Sequence, residues 1–263
     1  MPRSRPPLRL ERNPLIIVLA QARISPVLKL AEWIPDIQER LRGEGFPRFS
    51  AVQQSKLAVT PDGQIAGQGP WAESTYHFAD RETTSAVVLS TQAVTLETTT
   101  YSTFEDFLAL WERVAGPILD VLKPDIIERV GLRYVDLIQP RPGERLEDWL
   151  QPGLMGLHGL PITQVKSRYE LRAASTVGQL VLIATRPESG FIPGELQPFP
   201  LSIAVRGDLE PFGYLVLDLD HFSEASVYDR GSVTEVLWSL HDLLDLAFRE
   251  TVTEKALKAW RSN

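Results

Sequence analysis

The alternation of apolar and polar residues is clearest between Pro124 and Pro140, where it predicts a central β-strand entered from a helix. Successive side chains of a strand point to opposite faces of a sheet. One face of this strand carries Val130, Leu132, Tyr134, Asp136 and Ile138. The other face carries Arg129, Gly131, Arg133, Val135 and Leu137. Because burial of an unpaired charge is costly, the two arginines require an acidic partner or a solvated face.

Similar patterns predict further strands at 15–24, 49–60, 75–79, 85–90, 93–99, 163–174, 179–185, 201–206 and 214–222. Helical spacing of apolar residues predicts a helix that contains Pro35 and ends near Gly43. A long helix is predicted to begin at the capping box from Ser102 to Glu105, with a kink near Pro117. A short helix is predicted at 146–150, a second long helix from 232, and a last helical segment after 253.

The predicted elements occur in the same order twice. Residues 32–37 match 147–152, Phe46-Pro47 and the strand after it match Leu160-Pro161 and 165–173, and Leu110-Trp111 match Leu237-Trp238. We therefore expect a polar tail at 1–13 and one α+β domain at 14–263. Its two pseudo-equivalent halves are 14–123 and 124–263, each a strand-helix-four-strand-helix unit. Each antiparallel sheet is expected to pack on a long helix, since its apolar face must be covered.

Composition narrows the class of protein. The 263 residues include 34 acidic and 27 basic side chains, for a net charge of -7. This balance argues against bulk nucleic-acid binding. The absence of cysteine excludes disulfides, thiolate metal sites and cysteine nucleophiles. The apolar run at 15–20 is too short for a membrane span of about 20 residues, and no signal peptide is evident. We expect a cytoplasmic protein.

Several motifs together resemble a known family. They are Thr-Tyr-Ser-x-Phe-x-x-Phe at 100–107, Arg-Val-Gly-Leu-Arg-Tyr-Val-Asp at 129–136, Leu-Asp-Leu-Asp-His-Phe at 217–222, and Phe-Arg-Glu-Thr-Val-Thr-Glu-Lys-Ala at 248–256. The chain resembles a family of sporadically distributed bacterial proteins with no assigned activity. The resemblance implies a bacterial, cytoplasmic protein with a patchy distribution, which is typical of defence or toxin–antitoxin neighbourhoods. It implies no catalytic residues.

Asp218 and Asp220 are the candidate metal ligands. On a strand both carboxylates fall on the face of Tyr214 and Val216, opposite His221. Hard cations generally need more oxygen ligands than two. The structural alternative, in which the aspartates face solvent or pair with arginines of a neighbouring strand, is favoured.

Arg129, Arg133 and Tyr134 are the candidate ligand-binding residues, in a cleft between sheet and helices. A planar guanidinium suits a phosphate or a carboxylate. The favoured alternative is again structural, with both arginines paired to Asp218 or Asp220 across the strands.

No other motif fixes a reaction. The histidines, at 77, 158, 221 and 241, have no metal-ligand spacing, and no nucleophile elbow, phosphate loop or dinucleotide fingerprint occurs. No cofactor is predicted. The terminal segment with Trp260 is expected to dock on the core, with contact to another subunit as the alternative.

Three functions follow as hypotheses. The first is a non-enzymatic binding or regulatory component, with a neighbouring-gene product or a second copy of the chain as partner, in a defence or toxin–antitoxin system. The second is a small-ligand or nucleotide binder. The third is a metal-dependent hydrolase that uses Asp218 and Asp220.

Overall fold

Antiparallel strand pairing organises the whole fold. The computed structural model describes residues 8–54, 57–59, 65–68, 73–155, 166–197, 199–210, 213–224 and 230–261. The strands are β1 (Leu15–Ile24), β2 (Arg48–Gln54), β3 (Leu57–Val59), β4 (Ile65–Gln68), β5 (Glu73–Ala79), β6 (Ser85–Ser90), β7 (Ala93–Thr98), β8 (Ile127–Ile138), β9 (Ser167–Ala174), β10 (Gly178–Arg186) and β11 (Leu215–Ser223). The helices are α1 (Leu30–Gly43), α2 (Phe104–Val114), α3 (Gly116–Leu122), α4 (Arg230–Thr251) and α5 (Glu254–Arg261). Short 3-10 turns lie at Leu146–Asp148, Pro152–Leu154 and Gly194–Leu196.

Nine of these strands form one sheet in the order β2-β5-β6-β7-β1-β8-β11-β10-β9, and β3 pairs with β4 in a small second sheet. Every pairing is antiparallel. The α+β class and the large antiparallel sheet are thus confirmed. The centre of the sheet is the pair β1–β8, which joins the first part of the chain to the second.

The alternation along β8 separates the two faces of the sheet as predicted. Val130, Leu132 and Tyr134 belong to the main core, which also contains buried residues of all five helices. We call this side the inner face. Val135 and Leu137 lie on the opposite, outer face, in a smaller cluster. Apolar residues of the long connection between β10 and β11 cover that cluster: Phe191, Ile192, Leu196, Phe199, Ile203, Val205 and Leu209.

The prediction of a strand at 201–206 is wrong, because this segment forms no strand. Leu201 is buried, and Ile203 and Val205 pack on the outer face. The backbone amide of Ser202 donates to the Thr83 carbonyl at 2.7 Å, and its own carbonyl accepts from the Thr99 hydroxyl at 2.7 Å. The alternating apolar residues therefore serve a connection that crosses the sheet.

The first long helix is divided into α2 and α3 at Ala115, two residues before Pro117, near which a kink was predicted. Its N-cap is Thr103, whose hydroxyl accepts from the amide of Asp106 at 3.1 Å. The cap is one residue later than the predicted box from Ser102 to Glu105. The prediction of two long helices therefore holds only for α4, which spans 22 residues.

The terminal helix α5 docks on the core, as expected. Trp260 is buried, with its ring centroid 5.3 Å from Trp149 and 5.7 Å from Phe248. At the other terminus, Leu8 and Leu10 of the predicted tail pack against the main core. Within the described residues, no helix is long and apolar enough to cross a bilayer. His158 lies outside the described residues.

Gly178, at the start of β10, is required by close approach. An added Cβ would lie 2.0 Å from the Phe222 carbonyl oxygen and 2.8 Å from the Ser223 Cα. We expect Gly178→Ala to lower the free energy of unfolding by about 3 kcal/mol, since backbone atoms of β11 would have to shift. Urea unfolding measures this. Gly153→Ala is the matched control, because no atom lies within 4 Å of the methyl group that this substitution would add; equal losses in both variants would contradict the expectation.

Candidate functional site

The most closely paired charged side chains of the sheet lie on its outer face, between β8 and β11. Arg133 binds Asp218 through two parallel contacts, Nε to Oδ1 at 2.8 Å and Nη2 to Oδ2 at 2.5 Å. The side chains are only 16% and 7% exposed. Glu195 adds a weaker contact, 3.6 Å from the same Nη2. This bidentate geometry is the strong form of an ion pair, so the donors and acceptors of both side chains are already committed within the sheet.

Arg129 is held less completely. Its Nη2 lies 3.4 Å from Oδ2 of Asp220, and its guanidinium carbon lies 3.6 Å from the centroid of the Phe222 ring. Its Nε is buried without a hydrogen-bond partner among the described residues. Burial lowers the pKa of Arg129, and the nearby Asp220 carboxylate opposes that shift. The pairing that was the favoured alternative for the two arginines is thus present, with Arg133 the tighter of the two.

Asp218 and Asp220 lie on one face, as the alternation predicts, but each faces a guanidinium. Burial raises the pKa of Asp220, and Arg129 and Arg133 oppose the rise. In the part of the chain that the structure describes, no three histidine or carboxylate side chains gather to hold a metal. A cation at this position would therefore have only these two carboxylates as ligands among the described residues, and it would compete for them with Arg129 and Arg133.

Two further buried polar atoms on the outer face have no hydrogen-bond partner in the part of the chain that the structure describes. Glu97 follows the inward-facing Leu96 on β7, and its Oε2 is buried and unpaired. His77 precedes the inward-facing Phe78 on β5, and its Nδ1 is likewise unpaired. Burial raises the pKa of Glu97 to about 7 and lowers that of His77. The sequence analysis missed Glu97, although a glutamate within the strand predicted at 93–99 was a visible signal.

A cleft of about 310 Å³ opens beside the Arg133–Asp218 pair. The segment 187–195 forms one wall, and Arg168, Glu195 and Asp218 supply its charges. The Arg168 guanidinium already contacts Glu170 at 3.0 Å. The described lining of this cleft therefore has one cation, which is already paired, and two carboxylates.

Tyr134 lies away from the two arginines with which it was grouped. It points to the inner face, where its hydroxyl lies 2.8 Å from Nδ1 of His241 on α4. Tyr101 makes a hydrogen bond with the same tyrosine. The His241 ring stacks on Phe104, with centroids 4.1 Å apart. The structure therefore separates Tyr134 from Arg129 and Arg133 and places it in a buried polar chain.

Asp136, two residues beyond Tyr134 on β8, is buried on the same side of the sheet. Its residue is 3% exposed, and no hydrogen bond or ion pair to its carboxyl group is present within the described residues. Burial raises the pKa of Asp136 well above its usual range, and the negative charge of Asp218 adds to the rise. The side chain lines a cavity of about 60 Å³, the inner cavity, with Leu8, Leu10, Asn13, Leu15, Tyr101, Tyr134, His241, Leu244, Asp245 and Phe248.

A larger cleft of about 430 Å³ lies at the end of the sheet where β1 begins and β8 finishes. Segments far apart in sequence line it: 12–16, 99–101, 137–142, 204–208 and 259–260, together with Trp149. Three arginines contribute, Arg12, Arg141 and Arg206, and Asp208 is the single carboxylate among the described lining residues. We call this the arginine cleft. It shares Asn13, Leu15 and Tyr101 with the inner cavity, so the two are adjacent.

Backbone contacts fix the walls of the arginine cleft. Nη2 of Arg141 donates to the Ala259 carbonyl at 3.1 Å, and Nη2 of Arg206 lies 3.4 Å from the Glu11 carbonyl. The amide of Arg12 donates to the Trp260 carbonyl at 3.0 Å. A guanidinium has five N–H groups, so it can hold a carbonyl and an anion together. Sequence inspection missed this site because its residues come from irregular segments that only the fold brings together.

A serine–histidine contact elsewhere is structural. Oγ of Ser175 lies 2.8 Å from Nε2 of His221, and Nδ1 of that ring lies 3.1 Å from the Leu240 carbonyl. The same hydroxyl accepts from the amides of Val177 and Gly178. His221 is buried, and no cavity described above includes either residue. The pair therefore secures the β9–β10 turn against α4.

Comparison with protein-family models, with curated proteins and with solved structures finds no match to this chain. Its function is therefore inferred from the geometry described above.

We expect Asp218→Ala to lower the free energy of unfolding by about 3 kcal/mol, because it leaves the largely buried Arg133 without its main partner. Chemical denaturation measures the loss. Glu170→Ala is the matched control, since Glu170 pairs with the exposed Arg172 at 2.7 Å and such pairs contribute little. Equal losses in the two variants would contradict the structural importance of the Arg133–Asp218 pair.

Glu97 is expected to make stability depend on pH. Its pKa rises on folding from 4.5 to about 7, so the folded state binds its proton more tightly than the unfolded state. The contribution of Glu97 to the free energy of unfolding is complete below pH 4.5 and is lost as the pH rises through 7. The total change in unfolding free energy is on the order of a few kcal/mol. Glu97→Gln should flatten the fall in unfolding free energy between these pH values. An unchanged slope in the variant would show that Glu97 titrates normally.

Proposed function

We propose that this protein is a binding protein whose ligand is a small organic anion, held in the arginine cleft. The observation that carries the proposal is the convergence of Arg12, Arg141 and Arg206 on one concavity of about 430 Å³, with Asp208 as the one described carboxylate in its lining. This volume falls within the range of small-molecule sites. Planar guanidiniums suit phosphate and carboxylate groups, which they can bind through two parallel hydrogen bonds.

Electrostatics support the choice of ligand. The protein as a whole carries a net charge of -7, so a local excess of positive charge is contrary to its average surface. Uncharged donors and acceptors lie beside the arginines: Asn13, Thr99, Thr100, Tyr101 and Gln139. Such groups orient a ligand once the charges have attracted it.

The second cleft is a weaker candidate. Arg168 in its lining is bound by Glu170, and Arg133, the bidentate partner of the lining residue Asp218, is not itself part of the described lining. An anion would have to displace a carboxylate from an existing ion pair, which removes much of the gain.

A binding or regulatory role in a bacterial defence or toxin–antitoxin system stays a prediction, since it rests on the family resemblance. A neighbouring-gene product or a second copy of the chain remains its predicted partner. The two ideas are compatible, because a regulatory component that senses a small anion would transmit the signal to a partner protein.

We also propose that the two halves of the chain descend from one duplicated unit. The strand order supports this. β1 and β8 each open their half, lie at the centre of the sheet, and pair with the last strand of that half, β7 and β11 respectively. In both halves the earlier strands follow outward by antiparallel pairing.

Isothermal titration with inorganic phosphate, succinate and adenosine monophosphate tests the proposed ligand class. We expect at least one of them to bind, and Arg12→Gln and Arg206→Gln each to weaken its affinity by about tenfold, since each removes a charge-assisted hydrogen bond. Arg172→Gln, the same charge change at an exposed position on β9, is the control and should leave affinity unchanged. The proposal fails if no anion binds at millimolar concentration, or if all three variants weaken binding alike.

A further inference from the structure

We infer that the ligand of the arginine cleft also carries an amino group, and that Asp136 receives this group in the inner cavity. The ligand would thus be zwitterionic, with a phosphate or carboxylate at one end and an amine at the other. This inference rests on the anion-binding role proposed above.

The contrast in charge between the two adjacent cavities is the first support. The arginine cleft has three guanidiniums and one carboxylate among its described lining residues. The inner cavity has two carboxyl groups, Asp136 and Asp245, and neither lysine nor arginine among its described lining residues. Asn13, Leu15 and Tyr101 line both spaces. A molecule that reached past them would pass from a space lined by three guanidiniums to one lined by two carboxyl groups.

The second support is that Asp136 is buried without a partner among the described residues and faces the cavity. The other carboxyl group there, Asp245, is occupied, because Nε of Arg249 lies 2.8 Å from its Oδ2. The Tyr134 hydroxyl is bonded to His241, and Tyr101 is bonded to Tyr134. Buried polar groups are normally paired, so an unpaired carboxyl group at a cavity wall indicates a hydrogen-bond donor that the described residues do not supply, and we assign it to the ligand.

Size and aromatic surroundings fit an amine. A water molecule needs roughly 10–15 Å³ of such volume, so about 60 Å³ accommodates a few non-hydrogen atoms. The rings of Tyr101, Tyr134 and Phe248 line the space. Aromatic faces attract cations and repel anions. An ammonium group with a short alkyl stem therefore matches both the polar and the apolar parts of the wall.

The test compares two matched series of ligands by isothermal titration: aminoalkyl phosphates of increasing chain length, and the alkyl phosphates that lack the amine. We expect the unmodified protein to bind one aminoalkyl phosphate about ten- to a hundredfold more tightly than its alkyl counterpart, as a charge-assisted hydrogen bond provides. Asp136→Asn, which keeps the shape of the side chain, should abolish this preference and leave affinity for the alkyl phosphates unchanged.

The outcomes separate the two proposals. If both series bind equally well to the unmodified protein at every chain length, the inner cavity holds only water and the inference is wrong, while the anion site stands. If neither series binds and no other anion does, the proposed function itself fails. The comparison in the unmodified protein decides the matter even if Asp136→Asn does not fold. If Asp136→Asn folds and still binds the aminoalkyl phosphate more tightly than its alkyl counterpart, another group binds the amine and the role of Asp136 is overturned.

Discussion

The pairing of β1 with β8 is the constraint on which the rest of the structure depends. It is the only described link within the sheet between strands before Pro124 and strands after it. It also puts β8 at the centre, with β1 on one side and β11 on the other. Both faces of such a strand are covered, so alternate residues are buried in opposite directions. Each polar residue on β8 must therefore find a partner inside the protein or face a cavity.

The charged residues of β8 meet this requirement in different ways. Arg133 points to the outer face, where Asp218 satisfies it with a bidentate pair. Asp136, three residues later and on the opposite face, has no such partner among the described residues. The difference follows from the neighbouring elements. On the outer side β11 presents carboxylates, whereas on the inner side the surroundings of Asp136 are apolar, aromatic or already hydrogen-bonded.

The sequence allowed the sheet face of each β8 residue to be predicted, because period-two alternation is a local property. It also located β6 and β7, predicted at 85–90 and 93–99, and the start of α2 to within one residue. It did not predict the conformation of the segment 201–206 correctly. Alternating apolar residues occur both in a strand that is hydrogen-bonded within a sheet and in an irregular segment that packs on the face of a sheet. Nor could the sequence assemble the arginine cleft, since Arg12, Arg141 and Arg206 approach one another only through the contacts of the termini and connections. Tyr134 was grouped with the arginines by proximity in sequence, although the alternation itself places it on the other face.

The unpaired state of Asp136 points to ligand binding rather than to structure. An ionised carboxylate buried without a donor is costly, and burial raises the pKa of Asp136 well above its usual range, so a cationic donor would stabilise its ionised form. If the residue at position 136 served only to fill space, an apolar side chain there would make the protein more stable. Strongly perturbed titratable groups that face cavities are characteristic of functional sites. Asp136 meets that description together with the adjacent excess of arginines, and neither the outer-face ion pairs nor the Ser175–His221 contact does.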